Sequence, residues 1–181
     1  MRLRYLLDSG DWSGEPAGWP APVAAGPGAR LDFVYARAMG EIAQGHAAAA
    51  RPALQELAAV GHEVAELEKQ SGNTDPNYRT RPEIMLLEAR GLFAEQGGDF
   101  VAAERWLRQA AALEASLPID FGPPTIDKPT HELLGEFLLR RGRRAEARAE
   151  FSTALARTPG RRLAEQGLRA ASTDGNTVAS H

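Results

Sequence analysis

From Leu31 onward, apolar residues return at steps of three and four, with alanine and leucine dominant and no run of β-branched residues. That is the 3.6-residue period of helices that each bury one stripe. The pattern predicts helices near 31–44, 47–70, 81–96, 99–116, 130–141, 144–157 and 161–171, and no strands. Breaks fall at Gly45, SGNTDPNY (71–78), Gly97-Gly98, LPIDFGPPTIDKP (117–129), Gly142 and Thr158-Pro159-Gly160. Glycine takes the left-handed conformation after a helix end, and proline cannot continue a helix. Pro52 is predicted to lie in the first turn of its helix or to kink it.

The first 30 residues read differently. Residues 10–30 hold five glycines and four prolines, so an ordered loop is expected there, with Trp12 and Trp19 available to pin it to the helices. The composition suggests three segments: 1–30, a helical domain over 31–172, and a polar tail over 173–181. The Pro-rich insertion 117–129 carries Ile119, Phe121 and Ile126, too apolar for free solvent. It is expected to fold back over the helices; the alternative is that it lines or plugs a concave groove.

The helices come in pairs that resemble one another. Residues 131–159 read His131-x2-Leu134-Gly135-x2-Leu138, then Ala147-x3-Phe151, Ala154-Leu155 and Pro159, with a turn at Gly142. The pair over 84–117 repeats this weakly: Gly91, Gly98, Ala103, Leu107 and Ala110 hold the matching places. In 31–64 they are Ala38, Gly45, Ala50, Leu54 and Leu57. Spacing, residue size and turn glycine together resemble the tetratricopeptide repeat, W-x2-L-G-x2-Y…A-x3-F…P over about 34 residues. Gly10-Asp11-Trp12 matches Gly98-Asp99-Phe100, so MRLRYLLDS reads as the end of a first helix. Together with KPTHELLG (128–135), the chain resembles the C-terminal region of large bacterial tetratricopeptide-repeat proteins of unassigned function.

The resemblance implies an all-α fold, an α-solenoid of about three antiparallel helix pairs plus a closing C-terminal helix at 161–172. Small residues at the crossings follow from helix axes only 8–10 Å apart. Gly135 and Ala147 are expected at one crossing, with Phe151 filling the gap between helices.

Charge and chemistry narrow the function. Residues 1–127 carry 11 basic and 18 acidic side chains, and residues 128–171 carry 10 and 5. There is no cysteine, no apolar run of 18, and no secretion-signal pattern. A cytoplasmic protein with no membrane contact is expected. His62-Glu63-Val64-Ala65-Glu66 lacks the second histidine of a zinc helix, GPGARL lacks a preceding strand, and no serine lies in G-x-S-x-G. Pairs such as Glu63/Glu66 and Glu132/Glu136 read as solvated helix faces. No metal, cofactor or enzymatic activity is therefore expected. A catalytic site would need buried polar groups converging from several helices.

In tetratricopeptide arrays the first helix of each pair lines a concave groove that receives a peptide. The register places Tyr35, Met39, Glu88, Leu92, Glu95, Leu133, Glu136 and Arg140 there. The lysines and asparagines of a carboxylate clamp are missing from these positions. The expectation is a non-catalytic protein–protein interaction module that binds a peptide or helix of an unidentified partner. The alternative is an accessory domain touching nucleic acid through its basic C-terminal helices, RRGRRAEAR (140–148). Exposed N-terminal aromatics, Trp12 and Trp19, are candidates for self-association.

Overall fold

The computed structural model describes residues 1–22, 24–119 and 125–173. Phe121 of the insertion and the tail from Asp174 to His181 lie outside the described residues. Among those residues the chain is all-helical, with nine helices and no strand. They are α1 (Arg2–Ser9), α2 (Glu15–Gly18), α3 (Pro27–Ala43), α4 (Ala47–Gln70), α5 (Pro76–Gln96), α6 (Phe100–Ala115), α7 (Thr130–Arg140), α8 (Arg144–Arg157) and α9 (Arg162–Ser172). The chain divides into two compact units, 1–130 and 131–181. That division falls elsewhere than the composition change near residue 30.

The periodic segments are helices within a few residues of the predicted bounds, but two helices start earlier. α3 begins at Pro27 and α5 at Pro76, each with proline in the first turn, where its missing N–H leaves no hydrogen bond unmade. Asp75 caps α5 by accepting from the Asn77 N–H at 2.9 Å. Pro52 lies inside α4, beyond the first turn, and the helix continues through it. All four turn glycines, Gly10, Gly45, Gly98 and Gly142, have positive φ. At Gly98 (φ 80°) this frees Asp99 to cap α6, accepting from the Ala102 N–H at 3.0 Å.

In the first unit α3 packs on α4, α4 on α5 and α5 on α6, and α3 also meets α5. The core gathers Leu31, Val34, Ala38, Ala50, Leu57, Val60 and Ala89, among others. Small residues set the approaches. A methyl at Gly91 would sit 2.7 Å from Leu107 Cγ, and one at Gly61 would lie 3.3 Å from Pro82 Cβ. Residues 1–18 belong to this unit. Leu3, Leu6 and Leu7 join the core, the Arg2 guanidinium donates to the carbonyls of Pro16 and Ala17, and Trp12 covers Gly40. The expected loop thus contains the four-residue α2, and Trp12 is used within the fold. Trp19 stays half-exposed.

In the second unit the Phe151 ring is fully buried. It faces Gly135 of α7, where an added Cβ would be 3.0 Å away, and Gly167 of α9, where it would be 2.3 Å away. The predicted gap-filling role of Phe151 thus extends to a second glycine. Glu132, expected on a solvated face, is instead fully buried. It accepts from Arg161 Nε at 2.7 Å and Nη2 at 3.0 Å. Arg161, at the start of the segment read as the closing helix, is buried with it. A buried carboxylate requires such a partner, and Arg161 supplies a two-pronged one.

Candidate functional site

The buried residues of α5 include Ile84, Leu87, Glu88 and Gly91, and those of α6 include Leu107, Ala110, Ala111 and Glu114. Each helix therefore carries one carboxylate at a position its helical period assigns to the core. The structure brings these acids together with Tyr35 of α3. Tyr35 Oη donates to Glu88 Oε2 at 2.7 Å, and Thr130 Oγ1 donates to Glu88 Oε1 at 2.6 Å. The Thr130 main-chain N–H donates to Glu114 Oε2 at 2.6 Å. Tyr35, Glu88 and Thr130 are each no more than 2% exposed.

Thr130 arrives on the non-helical segment 125–129, which is fastened along its length. Arg81 of α5 donates from Nε to the Thr125 carbonyl at 2.8 Å. Its Nη2 bonds Asp32 of α3 and lies 3.6 Å from Asp127 Oδ2. Ile126 is buried with Ile84 and Leu117, with Leu113 packed against them. Lys128 is buried as well. The described part of the insertion therefore folds back over the helices as expected, although Ile119 stays exposed.

Burial sets the electrostatics. It pushes the Glu88 carboxyl up to about 8. The hydrogen bonds from Thr130 and Tyr35 pull it down, Glu114 pushes it up, and the Lys128 charge pulls it down. At neutral pH Glu88 is thus mostly a neutral acid, able to donate one hydrogen bond and accept another. Burial also raises the Tyr35 hydroxyl, with the Glu88 charge adding to it. Asp127 is raised by burial, with Arg81 opposing and Asp32 reinforcing.

The eight groove candidates divide between the units. In the first, Tyr35 and Glu88 are hydrogen-bonded to each other, and Met39 is buried in the core that Leu92 packs against. Glu95 is half-buried. In the second, Leu133 is buried, Glu136 half-buried and Arg140 exposed. The surface left open to a ligand is therefore smaller than the register implies: Leu92 and Glu95 in one unit, Glu136 and Arg140 in the other. Arg81, Asp32, Glu114 and Thr130 were absent from the expected set. For Glu114 the signal was present, a charge on an apolar stripe. For the other three the sequence held none.

Elsewhere, His62 and Glu63 are exposed, and Glu63 pairs with Arg30. His131 is mostly buried with Nδ1 2.7 Å from Glu150 Oε2. Within the basic run, Arg143 pairs with Glu146, and Arg144 donates to the carbonyls of Ala170 and Thr173. Among the described residues no group of three or more acids and histidines is placed to hold a metal ion, and no helix is long and apolar enough to cross a membrane. No protein-family model, curated protein or solved structure matches the chain.

Proposed function

We propose that this chain is a non-catalytic, tetratricopeptide-like interaction module. In this reading α3/α4, α5/α6 and α7/α8 are antiparallel pairs, α9 closes the array, and the face shared by α3 and α5 receives a peptide of a protein partner. One observation carries the reading. α3 and α5, the first helices of successive pairs in this reading, are neighbours joined by the Tyr35–Glu88 hydrogen bond, and the non-helical stretch 125–129 leading into Thr130 is held beside that bond by side chains of α5 and α6. A face that holds a non-helical stretch of chain through side-chain contacts is what peptide recognition on helical repeats requires. The small residues at Gly91/Leu107 and Gly135/Phe151 support the repeat register, because both pairs place glycine opposite the large residue of the next helix.

The buried cluster also resembles what a catalytic site would need. Enclosure favours the interaction reading. Tyr35, Glu88 and Thr130 satisfy one another and present no surface to a substrate while 125–130 is seated.

Capture from the source organism's lysate tests this. The baits are wild type, Leu92→Arg/Glu95→Lys on the face, and Gln109→Lys on the exposed side of α6, each verified as helical and cooperatively folded. A protein retained by wild type and Gln109→Lys but lost by the face variant is the expected result. Equal capture by all three, or by none, contradicts it.

A further inference from the structure

We propose that residues 125–130, TIDKPT, are an internal occupant of this face, and that in trans it takes a short peptide of the same chemistry. That peptide carries, in order, an apolar residue, an acid, a basic residue, a proline and a hydroxyl residue. The inference rests on the reading of the face as a peptide site.

The contacts are of the kind a receptor makes to a ligand. Arg81 reads a main-chain carbonyl at Thr125, independent of side chain, and reaches the acid at Asp127. Ile126 fills an apolar seat formed with Ile84, Leu113 and Leu117, the last from the insertion itself. Lys128 is buried, as are Ile126 and Thr130. Thr130 offers both its main-chain N–H and its hydroxyl, and the carboxyl groups of Glu114 and Glu88, on two different helices, pair with them. The polar groups that hold it come from α5 and α6, and the held segment comes from later in the chain, so the segment behaves as a tethered ligand.

The face also needs an occupant. Glu88 and Glu114 lie on apolar stripes, and buried acids without hydrogen-bond partners are strongly disfavoured. A tether supplies an effective concentration on the order of millimolar, so a partner must compete with the internal segment. Intrinsically modest contacts then keep the face covered until a better-matched peptide arrives.

The test is fluorescence anisotropy of labelled TIDKPT with the full chain. Ile126→Asn/Asp127→Ala loosens the internal segment and leaves Arg81, Glu88 and Glu114 intact. This variant should bind TIDKPT at least tenfold more tightly than wild type. Adding Arg81→Ala should remove that gain, and the peptide TDDEPT should not show it. Equal affinity of the loosened variant and wild type overturns the inference, as does equal binding of TDDEPT. A dimer on gel filtration, with the segment exchanged between two copies, also overturns it. If the double variant loses its cooperative melt, Lys128→Ala is measured against the same criteria. Failure here with the lysate capture still lost on Leu92→Arg/Glu95→Lys overturns the internal-occupant inference alone. Failure of both removes the peptide-site reading beneath it.

Discussion

Replacing Glu88 by glutamine removes one titrating proton and little else. The amide is nearly isosteric, and it keeps an acceptor and a donor for the hydroxyls of Tyr35 and Thr130. The effect of pH follows from linkage. Glu88 has an ordinary value of 4.5 and is pushed up to about 8 in the fold. Between those limits the folded state holds a proton that the unfolded state has released, so stability falls as pH rises. Below the lower limit both states are protonated, and above the upper one both are ionised, so the contribution is level outside the window. At about 1.36 kcal/mol per unit, the 3.5-unit gap between those two values sets a ceiling of about 5 kcal/mol across the window. Urea unfolding followed by helical circular dichroism, from pH 5 to 8.5, measures it. Glu88→Gln should equal wild type within about 1 kcal/mol near pH 5 and exceed it by a few kcal/mol near pH 8. Parallel curves for the two proteins would refute the claim that this carboxyl is buried and neutral.

Other consequences concern packing and pairing. Phe151→Ala should cost about 3–5 kcal/mol, and Gly167→Ala about 1–3 kcal/mol because the new methyl meets the Phe151 ring; chemical denaturation reads both. Arg161→Ala should cost about 3–5 kcal/mol by stranding the Glu132 carboxylate, whereas Glu132→Leu/Arg161→Met should be close to neutral; a double-mutant cycle separates the cases. Gly98→Ala has open space around it, so its cost of about 1–2 kcal/mol comes from the left-handed backbone alone, and a drop in melting temperature without loss of cooperativity reports it.

The helices were legible because each obeys two local rules at once. Apolar residues recur at the helical period, and a glycine or proline ends each run. Where the boundaries moved, a proline that looked like a break is a helix start. Asp75-Pro76 is such a case, since an aspartate cap followed by proline at the first position favours entry into a helix. The small residues Gly91 and Gly135 were legible from the repeat spacing, and an added Cβ there would sit 2.7 Å from Leu107 and 3.0 Å from Phe151. The site was half legible. Tyr35 and Glu88 were placed on one face by register, but Thr130 reaches Glu88 from 42 residues away, a non-local contact no period encodes. Glu132 was misjudged on the same ground. Its spacing from Glu136 suggested a solvated face, and its bonds to Arg161, 29 residues later, are non-local.

The chain has no cysteine, so a single introduced thiol can carry a unique label. A benzophenone attached at Glu95→Cys, beside the face between α3 and α5, and a second at Gln109→Cys on the exposed side of α6, measure directly whether that face receives a partner. On irradiation in lysate the account predicts a discrete adduct from position 95 that is absent from position 109. Matching adducts from both positions, or none from position 95, would contradict it.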